Sequence, residues 1–364
     1  MIAWLTIALV SVGLSAVTGW VIPAWAMKRL LPALESGGKR VTNYRGVSVP
    51  TGLGVVWLVW AASVAAVGTV VSSGVLYVVG SSGGQQGNPW FPALMTMPFN
   101  RIAGALPLLL VVGAAGFGVV DDLFGDPTAK GFRGHLRALA GGRLTTGGLK
   151  LLGIGGLALA AALPLTQELA GPDSRWWITA LTGVAIWALA ALVIALSANL
   201  VNLTDLRPGR ALKIYSFMVL VGVGIVIWPS WTASSSVISF WMDGSAVPMM
   251  VDLVWTGGMK LSLLALALGP VLAVWRYDLG ERAMLGDMGA NAMGALAGFI
   301  LAWRSPLWLL AILAVVLLAL NVVSERVSFS KVIRRVRFLS WLDGLGRIAP
   351  GAPAVGMDLI RDGE

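Results

Sequence analysis

The chain has 364 residues, of which 57% are hydrophobic and 12% are charged, and its net charge is +9. Soluble domains carry about 25% charged residues, so this composition excludes a soluble globular protein and predicts an integral membrane protein. With no cysteine and a single histidine, His135, the sequence also excludes disulfides, thiolate metal sites and multi-histidine metal clusters.

Hydrophobic runs along the chain predict an all-α, polytopic helix bundle of about nine transmembrane helices. Several runs approach or exceed the roughly 20 apolar residues that cross a bilayer. The first run lacks a basic leader and a cleavage pattern, so it is interpreted as a retained span. The predicted spans are residues 2–25, 52–80, 102–120, 148–170, 176–198, 212–229, 259–275, 287–303 and 306–323, with long loops at 81–100 and 230–258.

The distribution of basic residues predicts the topology. If the N-terminus lies outside, 22 of the 26 Lys and Arg residues fall on one face, and the other face receives Arg101, Arg175, Lys260 and Arg304. Because cytoplasmic loops are enriched in Lys and Arg, the basic face and the C-terminus are predicted to be cytoplasmic. The positive charge is therefore attributed to topology and to anionic lipids or phosphates, and no nucleic-acid partner is expected.

Four polar motifs fall on this predicted cytoplasmic face. "GVVDDLFGD" ends the third span, "SANLVNLTDLRPGR" ends the fifth, "YDLGERAMLGDMGANAMG" joins the seventh and eighth, and "NYRGVSVPTGLG" leads into the second. Each has an ordinary interpretation as a solvated helix end, a helix cap or close packing at small residues. Their agreement on one face favours a shared site.

The residue types in these motifs indicate a chemistry. Asn199, Asn202 and Asp205 are three apart and would share one side of a continuing helix. Asp287 stands between glycines at a helix start, either as an N-cap or as a carboxylate near anion-binding N–H groups. Carboxylate and amide oxygens suit Mg²⁺, which shares substrate phosphate oxygens, and interleaved Lys and Arg suit polyanions. The combination predicts phosphoryl transfer from a soluble donor to a lipid acceptor.

The order "VVDDLFGD", "NLVNLTD", "MLGDMGANAMG" resembles the polyprenyl-phosphate N-acetylhexosamine-1-phosphate transferases, the superfamily of MraY-like and WecA-like enzymes, over roughly residues 40–340. The resemblance implies transfer of a sugar-1-phosphate from a UDP-sugar to a polyprenyl phosphate such as undecaprenyl phosphate, with release of UMP. It implies Mg²⁺, with Mn²⁺ as an alternative, and a multi-pass protein of the inner (plasma) membrane whose site faces the cytoplasm. Cell-envelope polysaccharide or peptidoglycan precursor synthesis is the implied process, and members often form homodimers.

The resemblance also implies roles for the positions of this chain that match the family's motifs. The first aspartate pair of the family, whose leading member is proposed to deprotonate or position the lipid phosphate, matches Asp121 and Asp122. The resemblance implies catalytic roles for Asp121, Asp122, Asn202, Asp205 and Lys150, and Mg²⁺ ligation by Asp287, Asp121 and Asp122. Basic residues in the same loops are expected to bind substrate phosphate, namely Lys130, Arg133, Arg207, Arg210, Lys331, Arg334 and Arg335.

The chain also departs from the family pattern. Where members continue "TDGLDGLA", this chain reads "TDLRPGRA", so Pro208 replaces a second acid, and a His-rich motif and a tenth span are missing. These departures motivate one alternative, a non-catalytic lipid-phosphate-binding scaffold. A secondary transporter is a further alternative, although its ionisable groups would be expected near the bilayer midplane.

The C-terminal region is predicted to be separate from the bundle. The boundary is placed between a transmembrane region, 1–323, and a cytoplasmic tail, 324–364. An apolar stripe recurs at spacings of three and four, at Val332, Val336, Leu339, Leu342 and Leu345. This pattern predicts one basic, amphipathic interfacial helix over 325–347. It either anchors the chain to membrane lipids or brings its Lys and Arg residues to a substrate phosphate.

Overall fold

A computed structural model of the chain describes residues 2–81, 104–125, 134, 137–138, 140–166, 175–232 and 246–347. The helices are α1 (Ile2–Ala16), α2 (Ile22–Gly37), α3 (Val55–Ser81), α4 (Ala105–Phe124), α5 (Thr146–Ala162), α6 (Trp176–Thr204), α7 (Arg210–Thr232), α8 (Ala246–Leu279), α9 (Gly286–Ala302), α10 (Leu307–Arg326), α11 (Phe329–Arg335) and α12 (Arg337–Gly344). A π-helical turn, Val17–Val21, joins α1 to α2, and the strands β1 (Arg40–Thr42) and β2 (Ser48–Pro50) form an antiparallel hairpin.

The prediction that the chain folds mainly into α-helices is confirmed. Five helical segments of the described chain are long and apolar enough to cross a membrane, which is consistent with a helical membrane protein. They are Leu5–Gly37, Ala105–Phe124, Trp176–Thr204, Gly257–Leu279 and Leu307–Arg326. Each of the nine predicted runs lies mainly on a helix in its described residues, but the count of nine spans and the sides of the termini stay predictions.

Three boundaries differ from the sequence-based expectations. The first helix continues through the π-helical turn to Gly37 instead of ending near residue 25. The predicted loop 230–258 is partly helical because α8 begins at Ala246, and the Pro and Gly residues there are tolerated in long apolar helices. The predicted C-terminal helix is two helices, because Val336 adopts an extended conformation and interrupts the stripe. Residues 82–100 of the other predicted loop lie outside the described residues.

Helix α9 occupies the centre of the bundle and packs chiefly against α4 and α6. It is buried on every side from Gly289 to Ala302. Its small residues allow close approach: a Cβ added at Gly294 would lie 2.5 Å from Ala198 Cα on α6. Neighbouring backbones therefore fix the position and direction of the α9 N-terminus.

The "TGLG" motif packs against the loop that precedes α9. The Gly52 and Leu53 N–H groups both donate to the Met284 carbonyl at 3.0 Å, and Met284 N–H donates to the Pro50 carbonyl at 2.8 Å. A Cβ on Gly54 would lie 2.3 Å from the Gly289 nitrogen. The interpretation of this motif as close packing at small residues is thus confirmed.

Replacing Gly118 by alanine is expected to destabilise the junction of α4 and α9. An added Cβ would lie 2.4 Å from the Asp287 carbonyl oxygen, and this backbone atom cannot yield without moving α9. Overpacking of this kind costs about 1–3 kcal/mol, so the heat-denaturation midpoint of purified protein should fall. The matched control is Gly116→Ala on the same helix, where a Cβ meets no atom within 4 Å. Equal midpoints for the two variants would contradict this packing.

Candidate functional site

The candidate site lies where several helix ends meet. Asp121 and Asp122 are near the C-terminal end of α4, Lys150 is near the start of α5, and Asp287 is in the first turn of α9. Asp205 follows the last residue of α6. Residues from distant parts of the sequence are thereby brought together at one end of the bundle.

Lys150 joins two of the predicted acids. Its Nζ lies 2.7 Å from Asp121 Oδ2 and 2.6 Å from Asp287 Oδ2. The three side chains retain exposures of 15%, 19% and 30% respectively, so the cluster is only partly buried and stays accessible to a solute. Two carboxylates from different helices therefore converge on a single positive charge.

Asp122 has a different role from its neighbour. Its Oδ1 accepts a hydrogen bond from the Asp287 N–H at 3.2 Å, and its Oδ2 accepts one from the Met288 N–H at 3.1 Å. A carboxylate here satisfies free N–H groups of α9 and interacts favourably with the helix dipole. Asp122 thus caps α9 from another helix, whereas Asp287 is not the N-cap residue.

The turn into α9 requires glycine. Gly286 has φ +70°, and a Cβ there would lie 2.9 Å from Asp122 Oδ2. Both the left-handed backbone and the approach of the carboxylate exclude a larger side chain. The glycine before Asp287 is therefore part of how Asp122 reaches the helix end.

The two asparagines of "NLVNLTD" form hydrogen bonds with different helices. Asn202 Nδ2 donates to Asn291 Oδ1 at 3.1 Å, one turn after Asp287 on α9. Asn199 Nδ2 instead donates to Asn321 Oδ1 on α10 at 2.6 Å. Helix α6 ends at Thr204, so the expectation of one continuous polar helix side does not hold through residue 205.

Asn291 is a polar residue of this region that the sequence reasoning missed. It is 1% exposed, and its Nδ2 has no hydrogen-bond partner. The available signal was its spacing of four from Asp287 within "GDMGAN", which places both on one helix face.

Asp205 lies in a strongly acidic environment. Burial raises its pKa well above the ordinary value, and the charges of Asp278, Asp287 and Asp122 raise it further. The carboxyl of Asp278 was not assigned a role from sequence, although it lies within the quoted motif "YDLGERAML". It is 3% exposed, and its Oδ2 accepts the Gly209 N–H at 2.6 Å, which ties the loop after Asp205 to the end of α8.

The predicted phosphate-binding residues have different surroundings. The Arg207 guanidinium lies 4.9 Å from the centroid of the Tyr44 ring, and burial together with the positive charges of Arg210 and Arg347 lowers its pKa. Arg210 is 2% exposed and binds both oxygens of Asp343, at 2.9 and 3.0 Å. The charge of Arg210 is therefore paired with Asp343 inside the protein, whereas the sequence-based expectation was that Arg210 binds a substrate phosphate.

The predicted phosphate ligands on α11 form no hydrogen bond or salt bridge with the described residues of the Lys150 cluster. Lys331, Arg334 and Arg335 are exposed on α11, and the charge of Arg334 acts on Arg207. Lys130, Arg133 and His135 lie outside the described residues.

The donor set around Lys150 suits a hard cation. Asp121 and Asp287 each direct one carboxylate oxygen to the ammonium of Lys150, and their other oxygens are the atoms that could bind a metal ion beside it. Within the described part of the chain, no group of three or more acidic or histidine side chains could hold a metal by itself. Mg²⁺ bound by one or two carboxylates and substrate phosphates fits this arrangement.

The chain matches no family model. A functional assignment therefore depends on the chemistry of this cluster and on the order of the motifs that form it.

Proposed function

We propose that the protein transfers a sugar-1-phosphate, an N-acetylhexosamine phosphate, from a UDP-sugar to a polyprenyl phosphate at the cytoplasmic membrane face. The observation that carries the proposal is the convergence of Asp121 and Asp287 on Lys150 at the ends of apolar helices. At the end of membrane-spanning helices, such a cluster would be accessible to a water-soluble nucleotide and close to the lipid. The three motifs that resemble the transferase superfamily contribute to this one region.

In the proposed reaction, an oxygen of the polyprenyl phosphate attacks the phosphorus that bears the sugar. A new P–O bond forms, the bond to the UMP oxygen breaks, and UMP leaves with the electron pair. Phosphoryl transfer depends mainly on positioning and on stabilisation of charge. Lys150 would supply positive charge beside the phosphates, and Asp121 would position the acceptor phosphate or take up its proton.

Asp121 and Asp287 are the residues that would hold Mg²⁺, and Asp122 would keep Asp287 in place through its bonds to the α9 N-terminus. The ion, when bound, would neutralise charge that builds up on the phosphoryl oxygens. Asp205, which lies at the end of α6 near these acids, would line the cleft beside the bound UDP-sugar. Asn202 lies one turn before it and can bind the same substrate.

Arg207 is the basic residue that the contacts favour for the nucleotide end of the donor. Its guanidinium is stacked on Tyr44, and no described acidic side chain forms a salt bridge with it. An arginine of this kind can bind phosphate in a bidentate manner. Arg207, and not Arg210, would therefore bind the phosphates at the nucleotide end of the donor.

Purified protein in Mg²⁺ and undecaprenyl phosphate should release UMP from one member of a series of UDP-sugars. UDP-N-acetylglucosamine is the expected donor, and a UDP-N-acetylmuramoyl peptide is the chief alternative. UMP and lipid-linked sugar should appear in equal amounts, and chelation of the metal should stop both.

Two results, one from this screen and one from a separate transport assay, would reject the proposal. Tight binding of undecaprenyl phosphate without turnover of any donor would favour the scaffold alternative. Uptake of a charged solute into proteoliposomes without a lipid-linked product would favour a transporter.

A further inference from the structure

The C-terminal helix α12 is attached beside the candidate site through the buried carboxylate of Asp343, and α11 through Ser330, whose Oγ accepts a hydrogen bond from Arg210 NH1 at 2.9 Å. Asp343 on α12 binds Arg210 and also Arg347, whose NH1 and NH2 lie 2.8 and 2.6 Å from its two oxygens. Arg347 Nε also donates to the Pro208 carbonyl at 2.8 Å. The loop between Asp205 and Arg210 is thereby tied to α12.

A lysine strengthens the same attachment. Lys213 Nζ, on α7, donates to the carbonyl oxygens of Leu342, Asp343 and Leu345 at 2.8–2.9 Å. These are carbonyls at the C-terminal end of α12, where a positive charge interacts favourably with the helix dipole. One side of the segment is therefore held firmly by polar contacts.

The opposite side of α12 is apolar and exposed. Phe338, Trp341 and Leu342 follow the i, i+3, i+4 spacing of one helix face. Phe338 and Trp341 are 64% and 60% exposed, and their rings lie 5.9 Å apart. Large aromatic side chains grouped in this way on a helix surface require a partner or a lipid phase.

The charge on this segment is strongly positive. Lys331, Arg334, Arg335 and Arg337 are all exposed. Asp343 is the one acidic residue between positions 327 and 347, and it is already paired with Arg210 and Arg347. The segment therefore carries an excess of exposed positive charge, which complements an anionic surface.

The position of the segment favours a membrane as that surface. The candidate span α10 ends at Arg326, and α11 begins at Phe329. The three residue steps from Arg326 to Phe329 span at most about 11 Å, so α11 begins close to the end of the candidate span. A basic helix with exposed aromatic residues at this place has the features of an interfacial helix.

We propose that α11 and α12 dock on anionic lipid headgroups through the exposed aromatic side chains of α12 and the exposed basic residues of the segment, and that Asp343 couples the docked segment to the site loop 205–210. The lipid surface would thus help to order a loop that carries Asp205 and Arg207. This inference concerns a lipid-binding surface and its attachment, and it stands independently of the proposed transferase reaction.

Because the natural chain has no cysteine, single labels can report the depth of each helix face. The full-length protein would carry a spin label at Leu342→Cys, on the exposed apolar face, or at the matched control Ser340→Cys on another face of α12. Each protein would be placed in nanodiscs of phosphatidylcholine alone or of phosphatidylcholine with phosphatidylglycerol. Accessibility to oxygen, which is enriched in lipid, and to an aqueous nickel chelate would be compared.

The label at 342 should gain oxygen contact and lose chelate contact when phosphatidylglycerol is present, whereas the label at 340 should change little. Each basic residue near an anionic surface contributes about fivefold to docking, so Arg334→Gln with Arg335→Gln should weaken it about 25-fold. Hydrogen exchange of the loop 205–210 should slow on docking, and Asp343→Asn should remove this effect. These readouts need no enzymatic activity.

Several results would overturn the inference. Equal accessibility of the labels at 342 and 340 in both lipid mixtures would exclude docking. Docking that is equally strong with and without phosphatidylglycerol would exclude a contribution from anionic headgroups. Protection that appears only on addition of inorganic pyrophosphate to neutral nanodiscs would assign the basic residues to a soluble phosphate. Loop exchange that is independent of Asp343 would exclude the coupling.

Discussion

Asp287→Asn is expected to reduce Mg²⁺-dependent release of UMP by at least two orders of magnitude while the protein stays folded. The substitution keeps the shape of the side chain but removes the negative charge that lies 2.6 Å from Lys150. Loss of one group that stabilises charge in a transition state costs about 10²–10³-fold in rate. The measurement is UMP formation from the best UDP-sugar with undecaprenyl phosphate across a range of Mg²⁺ concentrations.

Glu35→Gln provides the matched control for this experiment. Glu35 Oε1 lies 2.7 Å from Arg282 Nε, with side-chain exposures of 35% and 32%. An exposed pair of this kind contributes little to stability, and this carboxylate is not part of the proposed site. Full activity of Asp287→Asn, with an unchanged Mg²⁺ requirement, would show that Asp287 is not the metal ligand.

Asp343→Asn is expected to release α12 from the loop after Asp205. The change leaves the guanidinium groups of Arg210 and Arg347 in a buried place without their negative partner. Breaking a buried ion pair by removing one partner costs about 3–5 kcal/mol. Amide hydrogen exchange of residues 337–347 in detergent should accelerate accordingly.

Ser340→Ala is the control for that exchange experiment, because Ser340 is exposed on the same helix. Slow exchange in both variants would contradict the role of Asp343 in holding α12. A heat-denaturation midpoint measured in parallel separates local release from unfolding of the whole bundle.

The attachment of α12 should also depend on pH. Burial alone would raise the pKa of Asp343, but the hydrogen bonds from Arg210 and Arg347 outweigh it, so the pKa is lowered. An aspartate with a lowered native pKa stabilises the attached form at pH values above its unfolded pKa of about 3.9. The contribution is lost as the pH falls below that value through the native pKa. The protection of the α12 amides, expressed relative to their intrinsic exchange rate at each pH, should therefore fall in acid, and Asp343→Asn should remove this dependence.

Local patterns in the sequence were sufficient for the class of structure and for most of the residues that meet in the cluster. The length of the apolar runs predicted the helices, since each helix satisfies its own backbone hydrogen bonds. The acidic motifs predicted Asp121, Asp205 and Asp287 as neighbours, and the structure brings them to one end of the bundle. The transferase activity itself stays a prediction that UMP release can test.

The division of roles within the cluster was decided by tertiary structure alone. Successive residues on a helix point about 100° apart, so Asp121 reaches Lys150 while Asp122 caps α9, and nothing local distinguishes the two. The pairing of Arg210 with Asp343 joins positions far apart in the chain, and a loop sequence cannot show that its charge is already neutralised. Composition and periodicity therefore determined which elements form, whereas the packing of α9 among its neighbours determined which side chains meet.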